Sequence, residues 1–259
     1  MRPLLLPGLL DAARHNAAHG TGGLSLFESA HVYMPSGALD APEGSPRGAT
    51  PATERHHLAG LLTTGTPASW RGEAAPADFY AAKGFVEALF SAAGLELEVE
   101  PGGRPFLHPG KSASVLAGDE RKVGWIGELH PLVAREWGLE GAAAFELDFD
   151  SLAEEATQEI AYRDVTTYPA VLQDIAVVVA DDVSAAQVTA AVRASAGDLL
   201  GRAEVFDVYE GEQVGVGNRS LALRLEFRAP DRTLTDDEVS ERRQAIEAAL
   251  SEIGGKLRA

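Results

Sequence analysis

Apolar residues fall at two different spacings along this chain, and each spacing predicts a kind of element. From Asp78 to Ala93 they recur at helical intervals, at Phe79, Phe85, Val86, Leu89 and Phe90, with Gly94 placed to stop the helix. From Ser220 to Arg228 they alternate strictly, with Leu221, Leu223, Leu225 and Phe227 on one side of a strand. Reading in this way gives a helix over Pro7 to His19 and a strand over Leu24 to Met34. A second strand follows at 57–63, then the Asp78 helix. Three further strands cover Leu95 to Glu100, Ser112 to Ala117 and Lys122 to Leu129. A short helix spans Pro131 to Trp137, and a strand spans Ala144 to Phe149. This is an α+β pattern with a mostly antiparallel sheet.

The stretch from Asp150 to Asp164 is charged, polar and without period, which predicts a linker. After it the order is strand (Gln173 to Ala180), helix (Ser184 to Ala196), strand (Ala203 to Tyr209), strand (Ser220 to Arg228), a helix opened by the capping box Thr235 to Glu238, and a short strand at Lys256 to Arg258. That is the β-α-β-β-α-β order of a ferredoxin-like domain. The predicted organisation is a first domain over 1–155, a linker over 156–165 and a second domain over 166–259. Residues 35–53, rich in Pro, Gly and Ser, are expected to form a long surface loop.

Strand alternation also divides the second sheet into faces. Ile175, Val177, Val179, Phe206 and Val208 are expected to join the even-spaced leucines against the helices. The open face is then left with Ala176, Asp207, Tyr209, Ser220, Ala222 and Arg224. An aromatic ring beside a carboxylate, a hydroxyl and a guanidinium suits a splayed nucleobase, which stacks on the ring and is read along its edges. A solvated face, or one packed on a partner, fits the same pattern.

Charge narrows this. The net charge is −17, and both halves are acidic: 12 basic against 23 acidic residues before 166, and 10 against 16 after it. Nucleic acid is therefore not expected as a bulk partner, and any RNA contact must be local. There is no apolar run of the ~20 residues a membrane helix needs. The apolar N-terminus is broken by Pro7 and Gly8 and followed by Asp11 and Arg14, so it is not read as a secretion signal. The chain has no cysteine, which excludes disulfides and thiolate metal sites and agrees with a cytoplasmic protein.

No catalytic residue and no metal set is assigned. His15 and His19 share HxxxH spacing but lack a neighbouring Glu and a third ligand. Structural or surface roles are expected for them and for His56, His57, His108 and His130. Glu146, Asp148 and Asp150 alternate on one strand, which is read as a solvated face rather than a cation site. Gly211 to Gly217 joins two strands and is a hairpin loop rather than a phosphate cradle.

Several ordered segments carry a resemblance. Tyr168-Pro169-Ala170-Val171, Asp174-Ile175-Ala176, Phe206-Asp207-Val208-Tyr209-Glu210-Gly211, Arg219-Ser220-Leu221-Ala222 and Arg232-Thr233-Leu234-Thr235 resemble the ferredoxin-fold anticodon-binding domain of the bacterial phenylalanine–tRNA ligase beta subunit. The family pattern carries Arg where Gln173 stands. Pro3 to Leu10, Leu26-Phe27-Glu28, Leu107 to Ala113 and Gly124 to Pro131 resemble the same subunit's class II synthetase-like domain. The resemblance covers nearly the whole chain and implies a C-terminal part of a longer subunit, with Met1 an added start.

What it implies is a charging reaction driven by ATP and magnesium, with both held elsewhere in the holoenzyme. The implied partners are an alpha subunit, in an assembly of two alpha and two beta chains, and the tRNA for phenylalanine, with anticodon contact through Ala176, Asp207, Tyr209, Ser220 and Arg224. The first domain is expected to be a scaffold without chemistry. Class II adenylation uses two arginines on phosphate oxygens, and neither Phe27 to Met34 nor Ala143 to Asp150 contains one. A protein-interaction module, or a free-standing paralogue without a tRNA role, remains the alternative.

Overall fold

A computed structural model describes residues 1–35, 52–63, 70, 76–118, 120–156 and 168–258. The chain divides into two compact units, Met1–Ile160 and Ala161–Ala259. Among the described residues, no helix is long and apolar enough to cross a membrane. Most of the expected surface loop at 35–53 lies outside the described residues.

The first unit holds α1 (Leu6–Ala18), β1 (Ser25–Pro35), β2 (Ala52–Thr63), α2 (Phe79–Ala92), β3 (Glu98–Pro101), β4 (Leu107–Ala117), β5 (Arg121–Leu129), α3 (Pro131–Glu136), β6 (Ala142–Asp148) and α4 (Phe149–Glu155). The strands form one antiparallel sheet in the order β1-β2-β6-β5-β4-β3. Both of its faces are covered. Leu5, Leu9 and Ala13 of the α1 region pack with Leu61, Trp125 and Ala144 on one side. Ala82, Val86 and Phe90 of α2 pack with Ile126, Phe145 and Leu147 on the other. Two-sided cover explains why β6 is buried almost continuously instead of alternating.

Two expectations change here. The charged stretch from Asp150 begins as helix α4 rather than linker, and Ser151 and Leu152 of that helix are buried. Phe85 leaves the core face of α2, whose buried residues are Ala82, Val86 and Phe90 at successive four-residue steps.

The carboxylates of β6 are not a solvated face. Glu146 is 1% exposed. Its Oε2 accepts the N–H groups of Leu5 and Leu6, at 3.0 and 3.3 Å, and its Oε1 lies 2.8 Å from His57 Nδ1. It thus caps α1, which has no capping side chain of its own. Asp148 caps α4 by accepting the Ser151 N–H, and Asp150 accepts the His56 N–H.

The second unit runs β7 (Val171–Ala180), α5 (Ala185–Ala196), a 3-10 turn (Gly197–Leu199), β8 (Leu200–Tyr209), β9 (Asn218–Phe227), α6 (Asp236–Glu252) and β10 (Lys256–Arg258). Its antiparallel sheet has the order β10-β7-β9-β8. The two helices cover one face, where Val188, Val192, Ile246 and Leu250 meet Val177, Leu223 and Phe227. Ser184 with Gln187, and Thr235 with Glu238, form complete capping boxes. Glu238 Oε2 accepts the Thr235 N–H at 2.9 Å, and Arg232 Nη2 donates to Oε1 at 2.6 Å. The Thr235 amide first, and the Arg232 guanidinium next, hold the Glu238 carboxyl down from the ordinary 4.5 to about 2.

Two measurements follow. Glu146→Ala strands buried N–H donors, and should cost about 2 to 4 kcal/mol. Urea unfolding followed by tryptophan fluorescence reads this, because Trp125 is buried beside α1, and Glu146→Gln, which keeps an acceptor, should lose less. For Glu238 the folded-state pKa is depressed, so its contribution is complete above 4.5 and fades as pH falls through about 2. Protection factors of α6 amides, corrected for the intrinsic pH dependence of exchange, should fall over that acid window, and Glu238→Gln should flatten that fall.

Candidate nucleic-acid interface

The face of the second sheet turned away from α5 and α6 is built from four rows of cross-strand neighbours. Asp174, Arg224 and Glu204 form one row, across β7, β9 and β8. Arg258, Ala176, Ala222 and Asp207 form the next, reaching from β10 to β8. Lys256, Val178, Ser220 and Tyr209 form the third. Leu172, Glu226 and Arg202 close the far end. Alternation alone accounts for these positions on β7 and β9.

On β8 alternation breaks. Val205 pairs with Leu223, but Asp207 pairs with Ala222, so Phe206 is an extra residue in a β-bulge. A bulge sets two consecutive residues against one neighbour, and Phe206 joins Asp207 on the open side. It is 50% exposed, and the Arg224 guanidinium lies 4.9 Å from its ring centre. The expectation that Phe206 packs against the helices is therefore corrected. Val208 faces as expected but stays half exposed, outside the core cluster.

Arg224 is held firmly. Its Nε and Nη2 both donate to the Asp174 carboxylate at 2.9 Å. That fork holds the Asp174 carboxyl below, and the Arg224 guanidinium above, their ordinary ranges. Tyr209 is placed by a different constraint. Its hydroxyl folds over Gly211, where an added Cβ would meet that oxygen at 2.5 Å. The Arg258 guanidinium stands 5.8 Å from the ring centre and donates to Gln213 Oε1.

The five residues singled out from sequence, Ala176, Asp207, Tyr209, Ser220 and Arg224, thus share this face. They differ in access. Ser220 is 5% exposed, whereas Asp207, Tyr209 and Arg224 reach solvent. Gln173 is not on this face at all. It pairs with Leu225 on the helix side, and its Oε1 is buried without a hydrogen-bond partner among the described residues. Loss of an arginine at 173 therefore takes no charge from the open side. Sequence reasoning missed Phe206 and Arg258. The apolar parity of β8 shifts between Val205 and Phe206, which is the sequence mark of a bulge. Arg258 carries no such mark, because only the pairing of β10 with β7 brings it here.

In the first unit the histidines have local partners. The His15 and His19 rings lie 4.4 Å apart, and His19 Nδ1 meets the His15 carbonyl. His108 and His130 each accept a backbone N–H two residues on, and His56 stacks on His31. Among the described residues no group of three His, Asp or Glu is arranged to hold a metal. A groove of about 450 Å³ lies beside α2, lined by Leu26, Phe27, Leu58, Leu62, Phe85 and Leu89. Its floor is the row Phe27–Gly60–Phe145, where Gly60 leaves room for the Phe145 ring. Phe27 is 78% exposed.

Comparison with known proteins gives the following. The family profile described as the phenylalanyl tRNA synthetase beta chain CLM domain matches residues 1–149, and the ferredoxin-fold anticodon binding domain matches residues 166–258. The chain is 41% identical to the phenylalanine–tRNA ligase beta subunit of Symbiobacterium thermophilum, over 100% of this chain and 28% of that protein. It is 40% identical to that of Moorella thermoacetica, over 100% of this chain and 31% of the relative. For Streptomyces avermitilis the values are 39%, 98% and 33%. The chain spans about three-tenths of the length of these curated relatives.

The Gly211 contact can be tested chemically. Gly211→Ala should push the Tyr209 ring off its seat and speed its nitration by tetranitromethane several-fold, read by mass spectrometry of the 200–218 region. An unchanged rate would mean that the ring position does not depend on Gly211.

Proposed function

The chain belongs to the phenylalanyl-tRNA synthetase beta chain family, and on that premise we propose that it is a non-catalytic portion of phenylalanine–tRNA ligase, serving ATP-dependent charging of tRNA with phenylalanine. The first unit scaffolds the alpha subunit, and the second contacts the anticodon region of the tRNA. We read the first unit's sheet as a class II synthetase core and the second unit as a ferredoxin-like β-α-β-β-α-β domain. The expected boundaries, 1–155 and 166–259, belong to this reading.

The observation that carries the tRNA role is the seating of Tyr209 on the open face of the domain matched by the anticodon-binding family. A half-exposed ring held by Gly211 is a stacking platform, and Asp207 beside it accepts hydrogen bonds from a base edge. Ala176 and Ala222 leave the middle of that face shallow enough for a base to approach. Ser220, beneath, contributes through its position next to Tyr209.

The absence of adenylation chemistry rests on what occupies the sheet. Phosphoryl activation needs cations aimed at developing negative charge. On β6 the carboxylate of Glu146 stands instead, already committed to the α1 N-terminus and His57. ATP and magnesium therefore belong to the alpha subunit. The exposed apolar groove around Phe27 and Phe85 is the surface of this unit best suited to that partner.

Three results test this. The chain alone should show no phenylalanine-dependent ATP–pyrophosphate exchange, and robust exchange would refute the scaffold reading. Phe27→Glu with Phe85→Glu should reduce co-purification with the alpha subunit without unfolding the chain. In the assembled ligase, Tyr209→Ala with Ser220→Ala should narrow the difference in aminoacylation between wild-type and anticodon-variant tRNA. Undiminished discrimination would remove the anticodon role.

A further inference from the structure

A surface that meets RNA must offer positive charge, yet the sequence from 166 onward is acidic overall. The open face solves this unevenly. Arg224 is neutralised by its two-pronged bond to Asp174. Arg202 pairs with Glu204 at 2.8 Å, and Arg228 with Glu226 at 3.1 Å. Among the described residues, the cations of this face without a carboxylate partner are Lys256 and Arg258, both on the short strand β10. Their register with Val178 and Ala176 puts both on the open side.

Arg258 is also the cation beside the stacking ring. It shares a cross-strand row with Ala176 and Ala222, whose small side chains leave space above the sheet. It is steadied by two neutral groups, the Tyr209 ring and the Gln213 amide oxygen. Neither cancels its charge. A guanidinium has five N–H donors, Gln213 engages one, and Arg258 is exposed. A nucleotide carries its base and its phosphate on one sugar. A ring with a guanidinium beside it meets both ends of that unit.

We propose that Arg258, with Lys256 next to it, is the phosphate-holding residue of this face, seating the RNA backbone beside the base stacked on Tyr209, while Arg224 acts inside the protein by fixing Asp174 and Phe206. The assignment rests on reading the open face as an RNA contact. It moves the electrostatic part of that contact from the middle strand to the closing one.

The test uses the complete ligase, assembled from its alpha subunit and the beta subunit containing this chain. Equilibrium binding of phenylalanine tRNA is measured over a salt series for wild type, Arg258→Gln, Arg258→Lys and Tyr209→Ala. Arg258→Gln should lower the salt slope by about 1 and raise the KM for tRNA roughly fivefold, with kcat at saturating tRNA unchanged. Arg258→Lys should restore the slope. If Tyr209→Ala weakens binding while Arg258→Gln keeps the wild-type slope and affinity, this inference fails and the RNA reading stands. If neither variant changes binding, both fail. If Arg258→Gln loses affinity but Lys does not restore the slope, the residue works only through its contacts to Tyr209 and Gln213, and the proposal is overturned. Thermal unfolding of each variant separates these outcomes from loss of fold.

Discussion

Every helix begins with backbone N–H groups that have no partner within the helix, and burying such groups without an acceptor is costly. The architecture of this chain is organised around meeting that demand. Asp78 caps α2, His130 caps α3, Asp148 caps α4, and Ser184 and Thr235 cap α5 and α6 from within complete capping boxes. For α1 the acceptor comes from across the fold. Glu146, on the central strand β6, reaches the amides of Leu5 and Leu6, and His57 holds its other oxygen. That single carboxylate joins the first helix, β2 and β6, and sets how α1 lies against the sheet.

The same demand explains why carboxylates that look available for chemistry are not. Glu146, Asp148 and Asp150 alternate along the sequence like a ligand set, but each is occupied by backbone amides. A carboxylate committed in this way neither gathers a cation nor serves a phosphate. The carboxylates of this sheet therefore stabilise the fold. The second unit shows the complementary case. There Arg224 and Asp174 lie exposed on the open face but satisfy each other through a two-pronged hydrogen bond.

Much of this was legible in the chain. Cap residues, the glycine stops and the alternation of β7 and β9 depend on local chemistry, and the structure agrees with them. What escaped depends on distant partners. The helix at Phe149–Glu155 carries carboxylates at Asp150, Glu154 and Glu155, and only the burial of Ser151 and Leu152 shows which side packs. Phe85 fits helical spacing but lines the open groove beside α2 and stays exposed. On the candidate face, alternation found Ala176, Asp207, Tyr209, Ser220 and Arg224, yet it misplaced Phe206 because a bulge changes parity midway. Burial of Ser220 and the arrival of Arg258 are tertiary facts, the second set by the pairing of a three-residue strand.

The place of β6 in its sheet has a consequence for how the protein is made. Strands β1 and β2 form a hairpin, and β3, β4 and β5 form a meander, but the two are joined only through β6, the last strand of the unit to be synthesised. The acceptor for α1 arrives on that same strand, 141 residues after the amide it serves. On a ribosome adding residues one at a time, the first helix and both half-sheets must wait, with apolar faces unpaired, until this strand emerges and closes them together. The order of translation therefore makes β6 the step at which the unit becomes a single cooperative body.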